Sequence, residues 1–224
     1  MKMINRYSEI ERILENKLGC SAHKLDHIYR VYDLCVLIGE CESGVDMDVL
    51  LPAALLHDIA RSEESEDLTG NVDHAMLGGE MAEELLFGLG YESERIRKIR
   101  HCIESHRYRT DRKPESIEAK VLFDADKLDI LGAIGISRAF MIAGQYGQNL
   151  FEDGNVDDYI GENTASNGRL KDVRKHSPIL EYELKLKQIP EKLYTSRGRA
   201  IAMGRLRFMK DFFDTLRLEV KGIA

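Results

Sequence analysis

Three features of the 224-residue sequence predict an all-α fold. Apolar residues recur every three or four positions along most of the chain, which is typical of amphipathic helices. The alternation of apolar and polar residues that marks strands is scarce. Only four prolines occur, so few predicted helices are interrupted by one. We therefore expect a helical bundle without a substantial sheet.

The same periodicity predicts the order of the helices and one loop-rich insertion. Helices are expected at residues 6–18, 24–41, 46–61, 74–88, 92–106, 116–147, 178–190 and 196–220. The acidic stretch SEESEDLTGNVD, residues 62–73, predicts a loop. We expect one domain over residues 1–224, with its core at about 22–145. A polar insertion at 148–176 and C-terminal helices at 178–220 would complete that domain.

Composition and charge exclude several classes of protein. A net charge of −7 and a pI of about 5.6 argue against nucleic-acid binding, yet they leave room for a small basic pocket that holds a phosphate. The four cysteines form no CxxC pair and are expected to be free thiols in the cytoplasm. No apolar run approaches the length of a membrane span, and the charged N-terminal stretch does not resemble a signal peptide. The apolar C-terminal helix is compatible with a homodimer.

A polar pair interrupts the most apolar segment of the sequence. Seven of the ten residues from Leu50 to Ile59 are Leu, Ala or Ile, yet His57 and Asp58 lie among them. Neighbouring residues on a helix point about 100° apart, so both side chains can reach one ion beside the helix. A helix-capping role would suit the histidine but would place the aspartate at the unfavourable end of the helix dipole.

Two further residues can complete such a site from other helices. His27 lies in the middle of a predicted helix, and Asp126 interrupts the apolar stretch AKVLFDADKLDILGAIG. Neutral imidazole and carboxylate groups are the main protein ligands of divalent metals once cysteine is excluded. We therefore predict a mixed imidazole–carboxylate metal site with open positions for water or substrate.

Ordered motifs give the sequence a family resemblance. DHIYRV, LLHDIAR, HAMLGGEMAEELL, CIESHRY and LFDADKLDILGAIGISRAF follow one another between residues 22 and 145. In this order they resemble the HD superfamily of metal-dependent phosphohydrolases, and in particular its small bacterial and archaeal HD-domain hydrolases. The resemblance implies an HD-domain-like helical bundle. It also implies the metal ligands His27, His57, Asp58 and Asp126, and a catalytic or second-metal role for His74 and His106.

Other charged residues are candidates for binding substrate phosphate or for orienting the site. Arginine and lysine bind phosphate well, although each can equally form an ordinary ion pair. The four phosphate-binding candidates are Lys127, Arg138, Arg61 and Arg30. Asp129 shares a helix face with Asp126 and is predicted to orient a ligand or Lys127, whereas Asp124 points elsewhere and is expected in a supporting or surface position.

The sequence departs from one pattern of the superfamily. Some of its nucleotidases carry HDxxE, in which the glutamate is implicated in proton transfer, and Arg61 occupies that position here. Either Glu63 or Glu64 supplies the acid, or the leaving group needs none. His101 and His106 lie five positions apart on a helix and are not expected to bind one ion together. His176 lies in polar surroundings and is expected at the surface.

The expected function is therefore that of a metal-dependent phosphohydrolase. Its substrate would be a nucleotide or another small phosphate ester, attacked by a metal-activated water. One or two divalent ions per chain are expected, from among Mn, Fe, Co, Ni, Mg and Zn. Two alternatives remain: a di-iron oxygenase of the same superfamily, and a regulatory module that binds a nucleotide without turnover.

Overall fold

The computed structural model describes residues 7–18, 22–67, 69–107, 112–151, 156–164 and 170–223. Within these ranges the chain folds into helices, and its β-structure amounts to one isolated bridge between Thr164 and Leu170. The predicted all-α class is confirmed. Among the helices of these ranges, none alone is long and apolar enough to span a membrane. One bent pair, Ile117–Leu128 with Gly132–Tyr146, meets that test together, by length and composition only.

The helices of the described residues follow one another along the chain. They are α1 (Ser8–Leu18), α2 (Ala22–Gly39), α3 (Met47–Leu56), α4 (Arg61–Glu66), α5 (His74–Gly88), α6 (Ser93–Ser105), α7 (Ile117–Leu128), α8 (Gly132–Tyr146), α9 (Val156–Asn163), α10 (Pro178–Leu184), α11 (Ile189–Lys192) and α12 (Ser196–Val220). Short 3₁₀ turns, Val173–Lys175 and Leu186–Gln188, flank α10.

The chain divides into two compact units. The first runs to Asp126 and includes Tyr194–Gly198, and the second comprises Lys127–Leu193 and the residues from Arg199 onward. The single-domain organisation expected from the sequence stays a prediction.

Helix α3 lies at the centre of the first unit because it is apolar on nearly every side. Its residues from Val49 to Leu56, apart from Leu51, are buried, and it packs against α2 and α6. The helix begins at Asp46, whose carboxylate accepts a hydrogen bond from the Asp48 amide at 2.9 Å, as a helix N-cap does. This burial fixes where the C-terminal end of the helix lies within the unit.

The end of α3 differs from the prediction in a way that affects the site. The predicted helix ran to residue 61, but α3 ends at Leu56 and a turn follows before α4 begins. The ring Nδ1 of His57 lies 2.8 Å from the Ala54 carbonyl, which a continuing helix would use to accept from the amide four residues later. The side chain thus takes the place of a backbone hydrogen bond. The predicted loop at 62–73 also contains part of α4.

Other predicted helices are shorter than expected. The region 116–147 breaks into α7 and α8, because Gly132 adopts a φ of 74°, which a continuing helix does not allow. A Cβ at this glycine would meet the Arg205 side chain at 3.1 Å, so glycine also permits close packing there. The predicted helix at 178–190 breaks into α10, a 3₁₀ turn and α11, and α9 lies inside the polar insertion.

His176 in the second unit is buried, so the expectation of a surface position was wrong. The Tyr159 hydroxyl lies 2.7 Å from its Nδ1, and its Nε2 lies 3.1 Å from the Glu181 carboxylate. The Glu181 carboxylate only accepts, so Nε2 carries a proton and donates to it; in the neutral ring the Tyr159 hydroxyl then donates to Nδ1. Its polar sequence neighbours concealed these partners, which come from α9 and α10.

Candidate metal centre

Six predicted site residues meet in the first unit, although they come from five separate parts of the sequence. His27 lies on α2, His57 and Asp58 in the turn after α3, and Asp126 near the end of α7. His74 is the first residue of α5, and His106 directly follows α6. All six residues predicted as metal ligands or second-metal candidates are therefore found in one region.

The first group within this centre is formed by His27, His57 and Asp58, whose ligand atoms lie within 4.8 Å of one another. The two Nε2 atoms are 3.2 Å apart, and Asp58 Oδ2 lies 3.7 Å from that of His27. Asp126 Oδ1 lies 3.4 Å from the same nitrogen of His27. The side chain of Asp126 is 16% exposed and faces this group. Two imidazoles and two carboxylates thus lie close together, with Asp126 next to the group on the side of His27.

The second group shares Asp58 with the first. Asp58 Oδ1 lies 3.5 Å from His74 Nε2 and 3.8 Å from His106 Nε2, and these two nitrogens are 3.3 Å apart. The ligand atoms of this group also lie within 4.8 Å of one another. The two oxygens of one carboxylate therefore face two histidine pairs, an arrangement that can hold two neighbouring cations.

Hydrogen bonds made by Nδ1 of His57 and His106 indicate which ring nitrogen carries a proton and what the Nε2 atoms offer to the centre. His57 Nδ1 lies 2.8 Å from the Ala54 carbonyl, and His106 Nδ1 lies 2.6 Å from the Ile103 carbonyl. A carbonyl only accepts, so each Nδ1 carries a proton, and in the neutral ring Nε2 then presents a lone pair. Lone pairs and carboxylate oxygens that converge at these distances repel one another unless a proton or a metal cation lies between them. The donor set of this chain thus fits a divalent metal.

Burial and nearby charges shift the pKa of the shared Asp58 in opposite directions. Burial by itself would raise the pKa of Asp58, but the nearby His57, His106 and Arg61 outweigh it and lower the pKa to about 2. Burial, with the adjacent Arg61 guanidinium, lowers the pKa of His74. The aspartate is therefore ionised and the His74 imidazole is neutral at neutral pH, which are the forms that bind metals.

A network of charged groups lies beside the second group. Arg61 Nη1 lies 2.8 Å from Glu64 Oε2 and 2.9 Å from His74 Nδ1, and the same glutamate oxygen is 2.9 Å from His74 Nδ1. Arg107 contacts Glu64 Oε1 at 3.0 Å and the Asp73 carboxylate at 2.9 Å. Of the two acids considered in place of the HDxxE glutamate, Glu64 therefore lies next to the histidines. Glu63 instead pairs with Lys17 at 3.0 Å.

Arg107 was not predicted from the sequence as a residue of this site. It directly follows His106 in the motif SHRY, and that adjacency was the only available signal. Its role as a partner of Glu64 depends on the meeting of α4 and the end of α6, which no local pattern reveals.

The other residues named from the sequence, among them the remaining phosphate-binding candidates, differ in burial and in hydrogen-bond partners. Arg30 is half-buried on α2, one turn beyond His27. In the second unit, Asp129 is buried and accepts from Arg138 Nη1 at 3.0 Å, and Lys127 is buried. The phosphate-binding roles of Arg30, Lys127 and Arg138, and the orienting role of Asp129, stay predictions. His101 accepts a hydrogen bond from the Glu115 amide at 3.2 Å.

Asp124 is buried, so the surface position considered for it was wrong, whereas the supporting position stays a prediction. Its carboxylate is fully buried and accepts hydrogen bonds from the backbone amides of Tyr194 and Thr195, at 2.9 and 2.7 Å. The Thr195 hydroxyl donates to the same carboxylate at 2.7 Å. These bonds tie α7 to the segment before α12, two residues from Asp126, which is predicted to be a metal ligand.

Comparisons with known proteins agree with this geometry. The HD domain family model matches residues 25–131, a segment that contains all six residues of the centre. Over 229 residues the chain is 30% identical to YpgQ, an uncharacterized protein of Bacillus subtilis (strain 168), with 100% of this chain and 98% of the relative covered. The chain therefore belongs to the HD-domain family.

Solved structures extend the similarity to the whole chain. A crystal structure of Bacillus subtilis YpgQ in complex with ADP has a TM-score of 0.71 at 29% identity and covers 98% of this chain and 100% of its own. A predicted HD superfamily hydrolase from an uncultured Thermotogales bacterium has a TM-score of 0.65 at 27% identity, with 98% and 95% covered. An HD-superfamily hydrolase from Bacillus thuringiensis has a TM-score of 0.69 at 25% identity, with 96% and 97% covered.

Proposed function

We propose that this protein is a metal-dependent phosphohydrolase that acts on a nucleotide or another small phosphate ester. The observation that carries the proposal is the meeting of four histidines and two aspartates, with Asp58 shared between two groups of ligands. Family membership and the resemblance to HD-superfamily hydrolases support the hydrolase class. The ADP bound to YpgQ supports a nucleotide as the substrate.

The first group would hold a metal ion through His27, His57, Asp58 and Asp126. A bound divalent cation polarises a phosphoryl oxygen and lowers the pKa of water, which is the chemistry that hydrolysis of a phosphate ester requires. The candidate metals are Mn, Fe, Co, Ni, Mg and Zn, because imidazole–carboxylate sites accept all of these. His74 and His106, together with Asp58, would hold a second ion or contact the phosphate.

The chain's own side chains would orient the substrate and balance its charge. The Arg61 side chain is 49% exposed and lies against the second histidine pair, so its guanidinium is placed to bind a phosphate oxygen. Glu64 lies within hydrogen-bond distance of Arg61 and would hold the guanidinium at the site. Arg30, Lys127 and Arg138 are further candidates for phosphate binding.

A substrate panel tests the proposal directly. The purified protein would be freed of metal and supplied with Mn²⁺, Co²⁺, Mg²⁺ or Fe²⁺ together with nucleoside mono-, di- and triphosphates. Chromatography of the products would show whether a phosphate ester or anhydride bond is cleaved. We expect turnover that requires the metal and is lost in Asp58→Ala. Absence of turnover with every metal, or full activity of that variant, would refute the proposal.

Two other candidate functions have an observation in their favour. Nucleotide binding without turnover is favoured by the ADP complex of YpgQ. Calorimetry would then show tight binding of a nucleotide that stays intact over hours. A di-iron oxygenase is favoured by the six-residue set with its shared carboxylate. Two irons per chain and an oxygen-dependent spectroscopic change would identify it, whereas a single metal would argue against it.

A further inference from the structure

His74 differs from His57 and His106 in which group is available to accept a hydrogen bond from its ring Nδ1. His57 and His106 follow the C-terminal ends of helices, where backbone carbonyls lack intrahelical partners, and each places Nδ1 against such a carbonyl. His74 is the first residue of α5, and the groups that lack partners at a helix N-terminus are amides, which donate. An acceptor for its Nδ1–H must therefore come from elsewhere.

Two charged groups with opposite requirements lie beside that nitrogen. Glu64 Oε2 lies 2.9 Å from His74 Nδ1, and Arg61 Nη1 lies 2.9 Å from the same atom. A carboxylate only accepts, so the contact with Glu64 requires a proton on Nδ1 and leaves a lone pair on Nε2. A guanidinium only donates, so a hydrogen bond from Arg61 requires the opposite tautomer, with the proton on Nε2.

The choice of tautomer decides whether His74 can bind a cation. Nε2 faces Asp58 Oδ1 at 3.5 Å and His106 Nε2 at 3.3 Å, and a ring nitrogen that carries a proton cannot also ligate a metal. Without Glu64, the Arg61 guanidinium beside Nδ1 and the acceptors beside Nε2 would both favour a proton on Nε2. Arg61 Nη1 also lies 3.3 Å from Nε2, so the arginine is close to both nitrogens.

We propose that Glu64 is a positioning residue that holds His74 in the Nδ1–H tautomer, so that Nε2 can serve as a metal ligand. Arg107 keeps Glu64 in place, because it contacts Glu64 Oε1 and the Asp73 carboxylate that caps α5. The two oxygens of Glu64 are thereby divided between Arg107 on one side and the His74–Arg61 pair on the other. The inference deepens the proposed function and depends on it only for the identity of the ligand.

The tautomer can be measured without any metal. Nitrogen-15 NMR of the imidazole groups in metal-free protein at about pH 8, where neutral histidine predominates, distinguishes protonated from unprotonated ring nitrogens. We expect the Nδ1–H form of His74 in the unaltered protein and the Nε2–H form in Glu64→Ala. The matched control is Glu63→Ala, since Glu63 is the adjacent acid and pairs with Lys17. His74→Gln would assign the signal.

Titration with Co²⁺ alone provides the second measurement. Loss of a partner that orients a metal-binding histidine weakens metal binding about 10- to 100-fold. We expect Glu64→Ala to weaken binding of the second equivalent of Co²⁺ by that factor and to leave the affinity for the first equivalent unchanged. Glu64→Ala combined with Arg61→Ala should recover part of the loss, because the cation that opposes a proton on Nδ1 is then gone. A purely structural role for Glu64 predicts no such recovery.

The two measurements separate failure of this inference from failure of the proposed function. Retention of the Nδ1–H tautomer in Glu64→Ala would overturn the role of Glu64, whatever the protein hydrolyses. An unchanged affinity for the second Co²⁺ in that variant would overturn it as well. Lack of turnover on every nucleotide, with the expected tautomers and Co²⁺ affinities, would instead refute the phosphohydrolase and leave the role of Glu64 supported.

Discussion

The Nε2 atoms of His27 and His57 lie 3.2 Å apart, although the two residues are 30 positions apart in the sequence and lie on different elements. Their rings meet edge to face with centroids 5.2 Å apart. His57 presents a lone pair toward His27, and Asp58 and Asp126 add carboxylate oxygens. The polar pair His57 and Asp58, which follows α3, therefore lies beside His27 and Asp126.

Metal binding should stabilise the folded protein through Asp58. The histidine nitrogens and carboxylate oxygens are brought together only in the folded state. A cation at 100 times its Kd should therefore raise the free energy of unfolding by about 2.7 kcal/mol per site. Asp58→Asn removes the charge shared by both groups and should abolish most of the gain. The measurement is urea unfolding with and without Mn²⁺. The control is Asp33→Asn on the exposed face of α2, and an equal gain in both variants would contradict the assignment.

Substitution of Gly198 should destabilise the protein at the Asp124 hydrogen bonds. A Cβ at this position would lie 2.6 Å from Asp124 Oδ2 and 2.7 Å from Thr195 Oγ1. Gly198→Ala must push these buried polar groups apart, and we expect a loss of about 1–3 kcal/mol in thermal or urea unfolding.

Gly204 provides the matched control on the same helix. Nothing lies within 4 Å of a Cβ at that position, so Gly204→Ala should be neutral or stabilising by up to about 1 kcal/mol through helix propensity. Equal effects of the two substitutions would show that the tight contacts around Gly198 have no energetic importance.

The Glu181 carboxylate should contribute stability that depends on pH. Burial would raise its pKa, but the hydrogen bond from His176 and the neighbouring Lys185 outweigh it and lower the pKa from 4.5 to about 2. A carboxyl group with a lowered pKa in the folded state stabilises it above the unfolded pKa, and this stabilisation is lost as the pH falls toward 2.

Glu181→Gln should therefore cost about 2 kcal/mol at pH 7, after allowance for the 31% exposure of the side chain, and almost nothing near pH 2. Denaturant unfolding at several pH values measures the difference. Glu219→Gln, at an exposed position of α12, is the control and should show no comparable dependence. A cost that stays constant down to pH 2 would indicate a packing effect.

The three described cysteines should differ sharply in reactivity. Cys35 and Cys102 are buried, and burial raises the pKa of both thiols, to about 12 for Cys102, where the nearby Glu118 charge adds to the effect. Cys41 is exposed. Brief treatment of the native protein with iodoacetamide at about pH 7.5 should therefore modify Cys41 and spare the other two, because the thiolate is the reactive form.

Mass spectrometry of peptides measures this pattern, and the same treatment in urea should modify all three cysteines. Rapid native modification of Cys102 would mean that α6 opens readily beside His106.

The helical class and the ligand types could be predicted because they depend on local patterns. Apolar residues every three or four positions require one buried helix face, and a histidine beside an aspartate at the end of an apolar segment requires a partner. Helix boundaries were less predictable. The end of α3 depends on the contact between the His57 ring and a carbonyl, and the break before α8 depends on the conformation of Gly132.

The sequence by itself determined the all-α class, most of the helical segments and the residue types suited to a divalent metal. Only the tertiary structure decided that Asp58 faces two histidine pairs, that Glu64 and not Glu63 contacts His74, and that Asp124 is buried against Thr195. The physical reason is the range of the interactions. Periodicity and helix ends act over a few residues, whereas a hydrogen bond between α4 and α5, or between α7 and residue 195, exists only after distant segments have packed together.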